Sequence, residues 1–207
     1  MKIVIIATEK LKEDLLTPEL EQQVSVTFTD RLFYMEGAGC YIDLLFDGSQ
    51  KRIDELVKLG NSVFLVNDVC HLAEKLPHNF IRINGWPGFL KRVIIEASLG
   101  NDTNRLVAEK VFSYFGKSVE WLPDTPGFIA PRVISMIINE AYFALEENVS
   151  TKSEIDTAMK TGTNYPYGPF EWAEKIGIKN IYTLLQKLSV MHNRFHPSTL
   201  LKEEALR

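Results

Sequence analysis

The chain has 207 residues, room for one large domain or two small ones. Hydrophobic residues are 45% and charged residues 24%, an ordinary globular balance with enough apolar surface to fold without staples. Lys and Arg number 23 against 27 Asp and Glu, so the net charge is −4; the lack of a basic tract argues against nucleic acid as a partner. No apolar run reaches the roughly 20 residues that span a bilayer. The start of the chain enters a strand pattern directly, without a signal peptide's cationic start and long apolar centre. Cys40 and Cys70 are too few for a disulfide framework and fit a reducing, cytoplasmic setting.

Taken in chain order, KIVIIA at 2–7 predicts a buried first strand. Residues 17–23 predict a short helix, capped by Thr17 with Pro18 in its first turn. VSVTFT at 24–29 and YIDLLF at 41–46 predict the second and third strands. Ser49 then caps a helix with Ile53, Leu56 and Val57 on one face, stopped by Gly60. SVFLV at 62–66, NFIRI at 79–83 and RVIIEA at 92–97 predict three more strands. Asp102 opens a helix ending at Gly116, and residues 118–122 form a seventh strand. Alternating strands and helices predict an α/β, Rossmann-like, doubly wound, mostly parallel sheet.

Past Asp124 only helical patterns remain, so the reading is an abridged Rossmann-like domain at 1–124 and an all-α C-terminal domain at 125–207. Pro126, behind Thr125, is placed in the first turn of a long helix running to Glu146. Its apolar residues (Ile129, Val133, Ile137, Ala141 and Leu145, widened by Phe128, Ile134, Ile138 and Tyr142) occupy more than one face and need cover on both sides. Thr151 and Glu154 make a capping box, Gly168-Pro169 starts a third helix ending near Gly177, and Ile181, Leu184, Leu185 and Leu188 mark a fourth.

Several motifs in this second half carry a resemblance. Residues 126–132 (PGFIAPR) with Asn139-Glu140-Ala141, 153–160 (SEIDTAMK), 162–171 (GTNYPYGPFE) and 195–202 (FHPSTLLK) together resemble the C-terminal domain of the 3-hydroxyacyl-CoA dehydrogenases, in family order to the end of the chain. The resemblance implies a preceding NAD-binding domain, oxidation of the 3-hydroxyl of an acyl-CoA with hydride transfer to NAD, a role in fatty-acid metabolism, and a homodimer built on the helical domain. Between Asp30 and Tyr41 the chain is shorter than the family, which carries a helical insertion there.

Against that pattern the first domain departs at its chemistry. A dinucleotide turn needs glycines for tightness and for close approach of the pyrophosphate to backbone N–H groups. The chain instead reads Ala7-Thr8-Glu9-Lys10-Leu11-Lys12, with Glu9 unfavourable to an anion and Lys10 or Lys12 as possible substitutes. Asp30, ending the second strand, stands where the family's ribose-binding acid would lie, though an Asp there is also a turn former. The family uses a His base with an orienting Glu twelve residues on. A gapless register from Phe80-Ile81 puts Asn84 and Glu96 at those places; a second register, anchored on Asn84 and Pro87, puts Ile81 and Val93 there. An asparagine donates or accepts a hydrogen bond but takes up no proton at neutral pH. Glu96 is a candidate base if burial raises its pKa, or an ordinary strand-end acid paired with Lys91 or Arg92.

The family's helix Asn falls on Pro131, read as lying beyond the first helical turn and kinking it, and its loop serine falls near Cys70. His71 and His78 lie near strand ends, where either could act as a displaced base; His192 and His196 are placed at the surface, and no metal cluster is read. Three functions remain open at this point. One is an NAD-dependent dehydrogenase with unusual site residues. Another is a non-catalytic acyl-CoA-binding or dimerisation scaffold of the same fold, and the third a reductase for another small hydroxy acid.

Overall fold

In a computed structural model, which describes residues 1–16, 24–72, 76–99 and 104–207, the chain divides into two compact units, Met1–Phe128 and Ile129–Arg207. The helix expected at 17–23 and the cap expected at Asp102 fall outside the described residues.

The first unit is built on seven strands: β1 (Lys2–Ile6), β2 (Ser25–Thr29), β3 (Ala38–Asp43), β4 (Val63–Asn67), β5 (Phe80–Ile83), β6 (Ile94–Leu99) and β7 (Ser118–Leu122). Their order in the sheet is β2-β1-β3-β4-β5-β6-β7, parallel throughout except for the antiparallel pair β5–β6. The mostly parallel, doubly wound sheet read from the sequence is therefore present. Successive side chains on a strand point to opposite faces, and each face has its own core. Ile3, Ile5, Ile42 and Leu65 pack with Leu11 and Leu15 of α1 (Glu9–Leu15) and with Val111 and Phe112 of α3 (Arg105–Ser113). Val4, Ile6, Tyr41, Phe64 and Val66 pack on the other face with Ile53 and Leu56 of α2 (Gln50–Val57).

Helix α1 was not expected from the sequence. Thr8 starts it by accepting the Leu11 N–H at 3.4 Å, and Leu11 and Leu15, four residues apart, face the sheet. Two strands are displaced from their apolar runs. β3 ends at Asp43, whose carboxylate accepts the Leu45 N–H at 3.0 Å and turns the chain. β6 begins at Ile94 after a turn held by Lys117, which donates to the carbonyls of Leu90 and Arg92 at 2.7 and 3.1 Å.

The second unit holds α4 (Ala130–Glu146), α5 (Lys152–Thr163), α6 (Pro169–Ile176), α7 (Ile178–Ser189), a short 3-10 turn (Asn193–Phe195) and α8 (Thr199–Leu206). The long helix starts at Ala130, not near Pro126, because Phe128 sits at φ 46° in the turn before it. Pro131 consequently occupies the first helical turn, where the missing N–H costs nothing; the expected kink is corrected. Asn139, buried in α4, donates to the His196 carbonyl at 2.9 Å and accepts the Ser198 N–H at 2.8 Å, tying the tail to the bundle. The Thr151–Glu154 capping box is present.

Gly168 is required by space. A Cβ there would lie 2.3 Å from Asp156 Oδ1, the oxygen that caps α6 by accepting the Phe170 N–H at 2.8 Å. Gly168→Ala is expected to lower the unfolding free energy by about 1–3 kcal/mol in a urea titration. A loss below about 0.5 kcal/mol, the range of an uninvolved surface change, would show that Asp156 moves aside freely.

Candidate functional site

In open α/β sheets, ligands bind beyond the carboxyl ends of the strands where the chain's winding reverses. Here the reversal lies between β1 and β3, whose ends Ile6 and Asp43 are register partners. The turn after β1 offers no glycine cradle. The Thr8 hydroxyl accepts the Leu11 N–H, the third amide of α1, and the Glu9 carboxylate stands in the first helical turn, paired with Lys12 at 2.8 Å. Next to it, Asp43 is fully buried and gripped by Arg52, with Nε and Nη2 at 2.7 and 3.0 Å from its two oxygens. Burial pushes the Asp43 carboxyl above its ordinary range against the pull of Arg52. Asp30 lies just past β2, exposed and 3.6 Å from Arg31. A pyrophosphate seated here would meet the Glu9 carboxylate in place of glycine amides, and Lys12 is already held by Glu9 and by the Phe28 ring at 5.3 Å. These residues do not fit a dinucleotide bound in the manner the resemblance implies.

Farther along the same sheet edge, the structure brings Asn84 and Glu96 together. Asn84 follows β5, Glu96 lies in β6, and the antiparallel pairing sets them side by side. Asn84 Nδ2 donates to Glu96 Oε2 at 2.9 Å, the Asn84 N–H donates to the Glu96 carbonyl at 2.9 Å, and Asn84 Oδ1 accepts the Trp86 N–H at 3.3 Å. Both side chains are buried. The first of the two sequence registers therefore matches the spatial pairing, whereas Ile81 is a buried core residue and Val93 is exposed. Lys91 pairs with Asp14 at 3.3 Å. Asn67, at the end of β4, ties the edge together, donating to the Leu44 carbonyl at 3.3 Å and accepting the Gly85 N–H at 3.0 Å.

A second cluster was only partly legible. Asp68, just beyond β4, accepts the N–H groups of Cys70 and His71 at 3.3 and 3.1 Å and meets His71 Nδ1 at 2.7 Å. Burial pushes the Asp68 carboxyl up, but the His71 hydrogen bond and the charges of His71 and Arg82 outweigh it and hold the carboxyl below its usual range. Arg82, fully buried in β5, donates to the carbonyls of Asp68 and Val69 at 2.9 and 3.2 Å, pairs with Asp124, and stacks on the Phe128 ring at 5.0 Å. Sequence reasoning named His71 but neither Asp68 nor Arg82; the i, i+3 spacing of Asp68 and His71 was the available signal. His192 and His196 are exposed, and no metal-binding group of acids, histidines and cysteines occurs among the described residues.

The family model for the 3-hydroxyacyl-CoA dehydrogenase C-terminal domain matches residues 127–206. The 3-hydroxyadipyl-CoA dehydrogenase of Escherichia coli is 43% identical over 93 residues, covering 44% of this chain and 20% of that protein. The 3-hydroxybutyryl-CoA dehydrogenase of Clostridioides difficile is 32% identical over 148 residues, covering 67% of this chain and 52% of that one. The (S)-3-hydroxybutyryl-CoA dehydrogenase structure from Ralstonia eutropha superposes with a TM-score of 0.68 at 22% identity, over 87% of this chain and 69% of that chain, a likeness of fold. The chain thus spans about half or less of the length of these curated relatives. Over residues 127–206 the helical unit of this chain is a 3-hydroxyacyl-CoA dehydrogenase C-terminal domain.

Proposed function

We propose that this chain binds an acyl-CoA of the kind its relatives' names describe, and serves as a subunit that does not itself carry out NAD-dependent oxidation. One observation carries this reading: at the place that resembles the family's base, Asn84 is closed between Glu96 and the Trp86 N–H. Its amide cannot move a proton, and general acid–base help contributes about 10²–10⁴-fold where a group can. The turn after β1, with Glu9 in place of a glycine, supports the same conclusion for the cofactor. The helical unit suits association with a second copy: Ile129 and Val133 are more than half exposed, and Val133 lines a groove with Met136, Ile137 and Phe195. A reducing, cytoplasmic setting suits two cysteines that form no disulfide. No helix among the described residues is long and apolar enough to cross a membrane.

The test is calorimetric titration of the purified chain with NADH and, separately, with acetoacetyl-CoA. Heat of binding from the thioester and none from NADH is the expected result. Saturable NADH binding accompanied by acetoacetyl-CoA reduction would replace this reading with that of a working dehydrogenase.

A further inference from the structure

We propose that the groove between α4 and the Asn193–Phe195 turn binds a free aliphatic carboxylic acid, its chain on Val133, Met136 and Ile137 and its carboxylate against Arg132 and Arg194. The site lies within the helical unit and goes beyond the acyl-CoA reading above. Val133, Met136 and Ile137 stand at i, i+3 and i+4 and so share one face of α4. With Phe195 they make an apolar wall; the other two lining residues are the arginines, and no acid lines the groove. Ile129, more than half exposed, lies outside the lining and remains available to a second copy.

Two cations gather on one ring. The guanidinium carbons of Arg132 and Arg194 lie 5.8 and 4.6 Å from the centre of the Phe195 ring. Arg194 is exposed and enters no ion pair among the described residues. Burial first, and then the charge of Arg194, pulls Arg132 below the usual guanidinium range. An anion beside both would offset that cost. The ring they share is fixed: Phe195 is buried, the Arg194 N–H donates to His192 Nδ1 at 3.1 Å, and Asn139 of α4 holds the His196 carbonyl and the Ser198 N–H at 2.9 and 2.8 Å. The turn carrying Arg194 is thus held on both sides, and a ligand would not have to assemble the pair.

The chemistry selects the ligand. A guanidinium takes a carboxylate or a phosphate through parallel N–H bonds. The apolar wall favours the carboxylate, because a single charge is cheaper to dehydrate than a phosphate's double charge. The groove measures about 320 Å³, at the small end of the roughly 300–1,000 Å³ of ligand pockets, which suits an acid of moderate chain length and not a whole CoA thioester.

The experiment titrates the full chain with octanoate, 1-octanol and acetate, in the wild type, in Arg194→Gln and in Val133→Trp. Both replaced residues are exposed, so the fold is kept. Octanoate is expected to bind the wild type saturably, and at least about 10-fold more tightly than octanol, which lacks the charge, or acetate, which lacks the chain. Arg194→Gln is expected to weaken octanoate about 10- to 100-fold, the worth of a hydrogen bond to a charged group, and to leave octanol unchanged. Val133→Trp, which fills the groove, is expected to remove octanoate binding. No binding of octanoate, an affinity unchanged in Arg194→Gln, or acetate bound as tightly as octanoate would overturn the site. Two other occupants are told apart in the same way. Octanoate affinity that falls as the protein is concentrated would give the groove to a second copy and overturn the proposal. Suberyl-CoA, a thioester whose chain ends in a carboxylate, might be bound in preference to octanoyl-CoA; if Arg194→Gln erased that preference, the arginines would read the far end of a thioester and the free acid would be overturned.

Discussion

Replacing Arg82 with leucine is expected to lower the free energy of unfolding by about 3–5 kcal/mol, the cost of removing one member of a buried ion pair. Arg82 has no exposed surface, and its guanidinium spends itself on three partners, the carbonyls of Asp68 and Val69 and the Asp124 carboxylate. Ser98 Oγ also donates to Asp124 at 2.7 Å, so the network joins β5, β6, the loop after β4 and the segment that leads out of β7. Leucine would leave two buried carbonyls without these donors, a loss water cannot make good, and would leave Asp124, 24% exposed and so partly solvated, without its counter-charge. Urea unfolding measures the effect. A loss below about 1 kcal/mol would mean that water replaces the guanidinium and that the network is not a keystone of the unit. The double variant Arg82→Leu with Asp124→Leu should recover part of the loss, because a matched apolar pair strands no charge.

The network also shows where sequence reading stops. Strands and caps were legible because their signals are local: runs of β-branched residues gave β1, β2, β4, β5 and β7, and Ser49 and Thr151 marked helix starts. The ends of β3 and β6 were not, since YIDLLF continues apolar past the point where Asp43 turns the chain. The start of α4 was misplaced because a non-glycine residue at positive φ, Phe128, leaves no compositional mark. Asn84 and Glu96 could be paired only through the resemblance, which implies two polar residues twelve positions apart; the antiparallel β5–β6 pairing that joins them left no mark in the sequence. Arg82 and Asp124, 42 positions apart, carry no periodicity that would join them. Buried polar groups are chosen by three-dimensional satisfaction, and a single sequence reveals them only when the partners are near neighbours.

Asn84→Asp is expected to be the most informative change at the site itself, destabilising the fold by about 3 kcal/mol or more at pH 7. The substitution is nearly isosteric, so packing is preserved and only charge and donor capacity change. In the wild type the amide Nδ2 donates to Glu96 Oε2 at 2.9 Å, with both side chains buried. An aspartate would set a second carboxylate against the first, and two carboxylates at that distance cannot both ionise cheaply. One must hold a proton, so the folded variant binds a proton that the unfolded chain has released at neutral pH. Its folded pKa is raised, and the stability deficit should therefore shrink as the pH is lowered towards the ordinary carboxylate range and grow as it rises. The wild type, whose amide carries no proton to lose at this position, should lack that strong dependence. Urea titrations at pH 5 and pH 8 decide the matter. A variant equally stable at both would mean that the two carboxyl groups do not meet in solution. A deficit that grows with pH would mean that a place resembling a proton-transfer pair in the family works here as a fixed donor–acceptor bridge.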